Sequence, residues 1–249
     1  MARTKVKTAL IDSDFFYGFK QGIPIILGYI PVGFTFGLMT AAGGLSPWLA
    51  LLTSLTNYTS TGQFAGIRLI LGGSGYLEIM LTTLVINLRY FLMALSLTQK
   101  IDPHLALSKR VICGLGITDE TFTVAGIEQR RLHFPYLMGL MLGPFLAWST
   151  GTILGAIVST ALPQQLTSAM GIALYALFIA LIIPPAQESR SVLAVIFIAV
   201  SINTVLQFMP IFRFISAGFR IIIATIAAAG LGAWLWPMQE EQESGGAVR

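Results

Sequence analysis

Long stretches without charged residues dominate the chain, and short polar segments separate them. No Asp, Glu, Lys or Arg occurs in 21–67, 132–187, 191–212 or 221–239. A helix needs ~20 apolar residues to cross a bilayer core, so the last two runs fit one crossing each and 132–187 holds two. The pattern predicts helices over 18–41, 48–71, 76–98, 133–160, 168–185, 191–209 and 216–236, with a further, half-apolar segment at 111–129.

Composition supports a membrane protein. Hydrophobic residues make up 55% of the chain and charged residues 10%, whereas a soluble domain carries roughly a quarter charged residues. We therefore predict an all-α integral membrane protein, a bundle of about six to eight transmembrane segments. A single transporter domain is expected over 1–236, followed by a polar tail at 237–249 that we expect to be disordered.

Charge and cysteine content exclude several function classes. The net charge is +4, but the basic residues are scattered singly or in pairs between apolar runs, unlike the basic face of a nucleic-acid binder. The lone Cys113 cannot form an intrachain disulfide. The chain contains no P-loop, GxSxG or HExxH motif and no metal-type Cys/His spacing, so we expect neither an enzyme nor a bound cofactor or metal.

Two topologies fit the basic residues, because Lys and Arg concentrate in cytoplasmic loops. With a cytoplasmic N-terminus, Lys100, Lys109 and Arg110 are cytoplasmic only if 48–71 enters and leaves the membrane on one side. That interpretation gives six crossings plus a broken or re-entrant segment near 48–71. If 48–71 crosses, 111–129 must cross as well, which gives eight.

The chain contains a weak candidate for an internal sequence repeat. The segments "LGYIPVGFTFGLMTAAGGLSP" (27–47) and "LGPFLAWSTGTILGAIVSTALP" (142–163) share an opening Leu-Gly, glycines along the helix and a closing Pro. Transporter folds are often built from such repeats. The alternative is that glycine-rich membrane helices simply look alike.

A charged side chain interrupts the helix predicted over 76–98. Arg89 lies near its middle, where a charge costs about 2.5–3.5 kcal/mol on insertion scales, so it should face protein or a watery cavity. Its planar guanidinium is suited to binding a substrate carboxylate. An internal ion pair that fixes helix packing is the alternative. Asn87, two residues earlier, lies on another face of the helix and is expected to make a different contact.

"GITDETF" (116–122) supplies the natural partner for that arginine. Asp119 and Glu120 follow Thr118, which is well placed to cap a helix whose first turn carries both acids. Two neighbouring carboxylates in a low-dielectric site are typical of proton coupling or of an ion pair. The alternative is a solvated cap at the membrane edge.

Polar residues cluster in "TNYTSTGQFAG" (56–66), inside an otherwise apolar segment. Thr and Ser compete for backbone hydrogen bonds, which favours an unwound stretch between two half-helices. Half-helix ends offer N–H groups to a carboxylate and carbonyls to a cation, so Asn57, Thr61, Gly62 and Gln63 are candidate substrate-binding residues together with Asn87 and Arg89. The alternative is hydrogen bonding that holds helices together.

Weaker signals complete the picture. Pro24 and Pro31 suggest that the first helix is kinked or broken. Asn203 and Gln207 lie one turn apart and could line the same cavity. Trp148 is the tryptophan that fits an interfacial aromatic belt least well. A passive channel that uses the polar break as a filter is an alternative to a transporter.

Four segments in order resemble the AzlC-type branched-chain amino acid permeases. They are "GFKQGIPIILGYIPVGFTFGLMTAAGGLSPWLALLTSL" (18–55), "TSTGQFAGI" (59–67), "TTLVINLRYFLMALSL" (82–97) and "GITDETF" (116–122). The resemblance implies export of valine, leucine and isoleucine across the bacterial inner membrane, powered by an ion gradient. It also implies a separate, small AzlD-type membrane subunit as partner.

Overall fold

The fold is a set of α-helices. The computed structural model describes residues 2–159, 179, 182–183 and 186–236, with side chains from residue 14 onward. In these residues the helices are α1 (Ala2–Ala42), α2 (Pro47–Thr56), α3 (Thr61–Leu71), α4 (Tyr76–Thr98), α5 (Leu107–Leu115), α6 (Asp119–Ile127), α7 (Phe134–Val158), α8 (Arg190–Phe208) and α9 (Ala217–Leu235). A single parallel bridge between Ile101 and Leu132 is the β-type pairing found among them.

Five of these helices are long and apolar enough to cross a membrane. They are α4, α7, α8, α9 and the Asp14–Ala42 part of α1. The predicted all-α, multi-pass membrane fold is confirmed, and the span predicted over 76–98 coincides with α4. The span predicted over 168–185 lies almost entirely outside the described residues, and the tail 237–249 lies outside them altogether.

Helix α1 is continuous through both prolines, so of the predicted kink or break, the break is wrong. Pro24 and Pro31 both lie within the helix. An interior proline removes one backbone hydrogen bond and costs about 3 kcal/mol. Here extended packing against a neighbouring helix holds the segment helical, because tertiary contacts override local propensity.

Helices α1 and α7 run parallel and pack backbone against backbone. Glycines on each helix face the main chain of the other, so an added Cβ would overlap a carbonyl oxygen of the partner helix. Gly37 faces Thr152, and Gly155 faces Phe34. The pairs of contacting residues rise together along both helices, which defines the parallel direction. The contacting glycines are Gly18, Gly22, Gly33 and Gly37 on α1 and Gly139, Gly151 and Gly155 on α7. Small residues at membrane helix interfaces permit this close approach.

Helices α2 and α3 form a re-entrant hairpin, called here the first hairpin. Its chain enters just after α1 ends, at Pro47, and unwinds at 57–60. It then returns to the level at which it started, because the side chain of Leu71 lies against Gly43. The segment predicted over 48–71 is therefore broken, as expected, and does not cross. With ten and eleven residues, each arm is too short to span a bilayer.

Helices α5 and α6 form a second hairpin that enters from the opposite side. The chains entering and leaving it are tied together, since the Leu132 N–H donates to the Lys100 carbonyl at 2.9 Å and the Asp102 N–H to the Leu132 carbonyl at 3.2 Å. The Lys100 ammonium also donates to the carbonyls of Gly126 and Glu128. The second hairpin therefore starts and ends at the same level, near the N-terminal ends of α1 and α7.

The distribution of basic residues orients this arrangement. The end that holds the base of the second hairpin carries Lys100, Lys109, Arg110, Arg130 and Arg131. At the other end, the linkers 42–47 and 71–75 contain no Lys or Arg. By the positive-inside rule the former end, with the N-terminus, is cytoplasmic. Because both hairpins turn back, the eight-crossing topology is wrong, and the chain up to 159 crosses three times.

The chain divides into two compact units, 1–177 and 178–249. The second unit contains α8 and α9, which pack against each other where the Val195 side chain meets Gly232. A short 3₁₀ turn, Pro210–Phe212, follows α8. Asn203 and Gln207 lie in this unit, and the single transporter domain over 1–236 stays a prediction.

Candidate functional site

The first hairpin unwinds at residues 57–60. The Asn57 side chain accepts a hydrogen bond from the Thr59 hydroxyl at 2.9 Å, so polar side chains replace helical bonding there. Ser60 has a φ of 48°, in the left-handed region that non-glycine residues seldom adopt. The predicted unwound stretch between two half-helices is confirmed, and α3 begins at Thr61. We call residues 57–60 the first tip.

The second hairpin turns at residues 116–118, called the second tip. Thr118 caps α6, since its hydroxyl accepts from the Thr121 N–H at 3.3 Å and the Thr118 N–H donates back to the Thr121 hydroxyl at 2.8 Å. This reciprocal arrangement satisfies two backbone donors at the start of the helix. The predicted cap is confirmed, and it places Asp119 and Glu120 in the first turn of α6.

Arg89 on α4 bridges the two hairpins. One guanidinium nitrogen lies 2.9 Å from the Asp119 carboxylate, and another lies 3.4 Å from the Thr61 hydroxyl. The guanidinium also lies 5.0 Å from the centre of the Tyr90 ring, whose hydroxyl donates to the Thr59 carbonyl at 2.9 Å. Both members of the Arg89–Asp119 pair are 39% exposed, so this charge pair is open on one side.

Glu120 points toward α1 instead. The Tyr29 hydroxyl donates to the Glu120 carboxylate and lies 2.8 Å from the Thr118 hydroxyl. Tyr29 itself is buried. The two neighbouring acids therefore face different partners, a cation on α4 and a phenol on α1. Sequence analysis overlooked Tyr29, because a tyrosine in an apolar helix gives no signal of its own.

Gln63 is fully buried and committed to hydrogen bonds within the protein. Its amide nitrogen donates to the Ser54 hydroxyl at 2.6 Å, and its amide oxygen accepts from the Trp148 indole N–H at 3.1 Å. Ser54 in turn lies 2.8 Å from the Thr152 hydroxyl. These bonds join both arms of the first hairpin to α7. Trp148 is accordingly buried in the protein, where it binds Gln63, and does not belong to an interfacial aromatic belt.

A cavity of about 260 Å³ lies where the first tip, α4, the second tip and α7 meet. Its lining residues are Leu55, Thr56, Asn57, Tyr58, Thr59, Asn87, Tyr90, Gly114, Leu115, Ile117 and Phe145. The Asn87 amide nitrogen lies 3.5 Å from the Asn57 side-chain oxygen. Gly62 leaves room for this amide, because a Cβ there would overlap the Asn87 side chain. Asn87 and Arg89 thus make different contacts, as predicted.

The two tips carry opposite electrostatic character. Helix α3 begins with no acidic residue in its first turn and no side-chain cap at Ser60, so its positive end is uncompensated. Helix α6 begins with both Asp119 and Glu120. An anionic group is favoured at the first tip and a cationic group near the second. A small zwitterion matches this arrangement.

Most of the predicted site residues come together. The residues around the junction of the two tips are Asn57, Thr61, Gly62, Asn87, Arg89 and Asp119. Glu120 lies beside this junction, where it binds Tyr29. Gln63 faces α7 instead. Sequence analysis also overlooked Tyr58, Tyr90 and Phe145. The first two lie within or beside motifs that were singled out, and their position there is the signal that could have identified them.

Sequence comparisons relate this chain to other membrane proteins. The family described as "AzlC protein" matches residues 24–162. An uncharacterised membrane protein of Archaeoglobus fulgidus is 32% identical over 233 residues, 92% of this chain and 96% of that protein. Inner membrane protein YgaZ of Escherichia coli is 30% identical over 187 residues, 72% of this chain and 76% of that protein.

A more distant relative has a named transport activity. The branched-chain amino acid transport protein AzlC of Bacillus subtilis is 22% identical over 180 residues, 71% of this chain and 70% of that protein. No solved structure matches the chain. The family match covers more than half of the sequence, and the chain belongs to the AzlC family of membrane proteins.

Proposed function

We propose that this chain is a secondary transporter that exports branched-chain amino acids, such as valine, leucine and isoleucine, across the bacterial inner membrane. It works as the large subunit beside a small AzlD-type membrane partner, and an ion or proton gradient supplies the energy. One observation carries the proposal: two hairpins that enter from opposite sides meet at an intramembrane ion pair, Arg89–Asp119. Helices broken at membrane depth are typical of transporter binding sites.

The substrate carboxylate binds Arg89. This carboxylate approaches Arg89 from the cavity, and the planar guanidinium is well shaped to bind it. The positive end of α3, which begins at Thr61, stabilises the negative charge of the carboxylate. Asn57 and Asn87 line the same cavity. Gly62 lets the chain pass close to Asn87, and Gln63 positions the first hairpin against α7 rather than contacting substrate.

Asp119 couples transport to the gradient. The substrate carboxylate takes the place of Asp119 at Arg89, and the charged Asp119 then attracts the substrate ammonium. Protonation of Asp119 from the exterior ends this attraction, so the substrate leaves outward as a proton enters. Loss of that proton to the cytoplasm restores the Arg89–Asp119 pair. Glu120, held by Tyr29, keeps the second tip in place during this exchange or shares the proton.

Each hairpin acts as a gate on its own side. The first hairpin separates the site from the exterior, and the second separates it from the cytoplasm. Breaking the Arg89–Asp119 contact releases the second hairpin from α4. Breaking the Arg89–Thr61 contact releases the first hairpin, and the two contacts break in turn. This is alternating access around a fixed site.

A passive channel is the second candidate, and the meeting of two polar tips favours it, since channel filters are also lined by backbone at membrane depth. The ion pair opposes it, because Arg89 and Asp119 would bind each other in the conducting path. A channel would show no dependence on the proton gradient and rates too high for a carrier cycle.

The test is efflux from cells preloaded with labelled valine. Efflux is compared for this chain alone, for the chain with its small partner, and for Asp119→Asn with the partner. Asp102→Asn is the matched control, because Asp102 caps a cytoplasmic turn away from the site. We expect partner-dependent efflux that collapses with the proton gradient, that Asp119→Asn lowers at least ~10-fold, and that Asp102→Asn preserves.

Two outcomes would contradict the proposal in different ways. Wild-type efflux from Asp119→Asn would remove Asp119 from the coupling mechanism and favour a packing role for the ion pair. No efflux of valine, leucine or isoleucine by any combination would reject the amino acid substrate. Efflux that ignores the proton gradient would favour the channel.

A further inference from the structure

In the exterior half of α4, polar side chains face the protein and apolar side chains face away from it. Glu78 and Thr82 are 7% and 0% exposed. Leu77, Met80 and Leu84, on the same turns, are 61%, 56% and 55% exposed. A membrane helix whose inward face is polar typically borders an ion or substrate pathway. This face of α4 is therefore a candidate for such a pathway on the exterior side of the site.

Glu78 lies on the same face of α4 as Arg89. At 3.6 residues per turn and 1.5 Å per residue, the two are about 20° apart around the helix and roughly 16 Å apart along it. Thr82 lies between them, about 40° from Glu78. Glu78 lies at the exterior end of this face, in the first turn of α4, and Arg89 lies at its other end, paired with Asp119. A proton that reaches Asp119 from the exterior along α4 passes these residues.

Glu78 is the one acidic residue in the sequence between Gln21 and Ile101, and it is buried. The charged residue that the neighbouring helix α3 carries is Arg68, in its last turn, where the side chain is exposed. An acid in the first turn suits the positive end of a helix, but an exposed side chain would serve that purpose equally. Burial is unfavourable for a charged carboxylate, so it favours a group that takes up and releases a proton.

The Thr82 hydroxyl is buried and forms no hydrogen bond within the described part of the chain. Other helical threonines donate to the carbonyl oxygen four residues earlier, namely Thr35, Thr40, Thr53, Thr56, Thr83 and Thr123. For Thr82 that acceptor is the Glu78 carbonyl, which its hydroxyl does not bind. The Arg89 Nε, on the same face, is also buried without a partner among the described residues. Unpaired buried polar groups are unfavourable, so both atoms point to a small ligand such as water that binds when the first hairpin moves.

We propose that Glu78 takes up protons from the exterior and passes them to Asp119 through water that the Thr82 hydroxyl binds. The inference rests on the proposed function and adds to it the residues that carry the proton inward. Exterior water protonates the Glu78 carboxylate. The proton then moves along the bound water to the Asp119 carboxylate, and Glu78 becomes charged again. The Thr82 hydroxyl is shielded from solvent here, with α3 packed beside it where Gly66 faces Thr83. Protons therefore enter only when the first hairpin has moved, which prevents a leak through the closed protein.

The test uses right-side-out membrane vesicles that contain the combination of subunits active in efflux and are preloaded with labelled leucine. Efflux is measured while the outer solution is acidified at a constant inner pH. Wild-type efflux should accelerate, because outer protons reach Asp119 through Glu78. Glu78→Gln should lower the maximal rate at least ~10-fold and abolish its dependence on the outer pH, since an amide takes up no proton. Glu78→Asp, which keeps a carboxylate, should restore the dependence on the outer pH.

Two adjacent threonines of α4 provide a matched pair of variants. Thr82→Val and Thr83→Val make the same change of shape and polarity, but the Thr83 hydroxyl already donates to the Ile79 carbonyl at 2.7 Å. Thr82→Val should lower the maximal efflux rate several-fold, and Thr83→Val should leave it unchanged. The dissociation constant for leucine, measured on the purified complex, should be the same for Thr82→Val, Glu78→Gln and wild type, because neither residue lines the cavity.

The possible outcomes separate this inference from the proposed function. If efflux by Glu78→Gln accelerates with outer acidity as in wild type, protons do not enter through Glu78, and the proposed function stands. If Glu78→Gln loses leucine binding together with efflux, Glu78 has a structural role and the inference is wrong. If wild-type efflux of leucine is absent or ignores the outer pH, the proposed coupling itself fails, and the inference fails with it.

Discussion

The α1–α7 pair and the two hairpins are held together by different means. Between α1 and α7, glycines bring main chain against main chain along most of both helices. The hairpins contact this pair and α4 mainly through side chains, by hydrogen bonds such as Trp148–Gln63 and by the Arg89–Asp119 ion pair. Backbone contacts of this kind have one geometry, whereas side-chain contacts can exchange partners. The proposed gating therefore requires the hairpins to move against the α1–α7 pair, which serves as the fixed frame.

The largest effect is expected from a substitution at a glycine between α1 and α7. Gly37→Val places a side chain where the Thr152 carbonyl lies, so the two helices must separate. Overpacking costs about 1–3 kcal/mol where neighbours can shift, and a helix backbone shifts less readily than a side chain. We expect little folded protein by size-exclusion chromatography of detergent extracts.

Gly28→Val on the same helix is the matched control, because nothing lies within 4 Å of its Cβ position. It should behave as wild type. Equal yields of folded protein from the two variants would mean that α1 and α7 can move apart, and the fixed frame would be rejected.

A smaller effect is expected where the first hairpin meets the frame. Gln63→Leu leaves the Trp148 indole N–H buried without its acceptor, which costs about 1–3 kcal/mol. The protein should still fold, with a thermal unfolding midpoint several degrees below wild type. Gln99→Leu, at an exposed position after α4, should leave the midpoint unchanged. An unaltered midpoint for Gln63→Leu would show that the first hairpin does not depend on this contact.

The smallest effect is expected at the cytoplasmic base of the second hairpin. Arg130 pairs with Glu128 at 3.2 Å and with Asp14 at 3.9 Å, but its side chain is 57% exposed. Exposed pairs contribute about 0–1 kcal/mol, so Arg130→Gln should lower the midpoint by no more than about 4 °C. A loss as large as that of Gln63→Leu would mean that charges at the base, rather than contacts at the tip, hold the second hairpin.

Much of the fold was predictable because hydropathy reports it directly. The boundaries of α4 follow from the apolar run 76–98, and the break in 48–71 follows from Thr and Ser, which compete for backbone bonds. Whether a broken segment crosses depends on contacts distant in sequence. Two contacts show that the hairpins turn back: Leu71 lies against Gly43, and Lys100 binds the Gly126 carbonyl. Neither contact can be recognised from the sequence.

The candidate site was predictable in part for the same reason. Arg89 and Asp119 stand out because charge is rare in apolar segments, and their pairing follows from the need to neutralise both. Gln63 shows what could not be predicted from the sequence. A polar residue among apolar ones could face a ligand or hold helices together, and only its bonds to Ser54 and Trp148 distinguish the two roles.

The parallel direction of α1 and α7 bears on how such a chain can arise. From α1 to the start of α7 the chain crosses twice and returns to its starting side, so a tandem gene duplicate of that stretch inserts in the same orientation. The segments of the candidate repeat, 27–47 and 142–163, begin 115 residues apart. Gly33 and Gly37 face Trp148 and Thr152, residues that lie the same distance along the chain. An ancestral segment of this kind would have met its own copy, as a homodimer, through the glycine face that now joins α1 to α7.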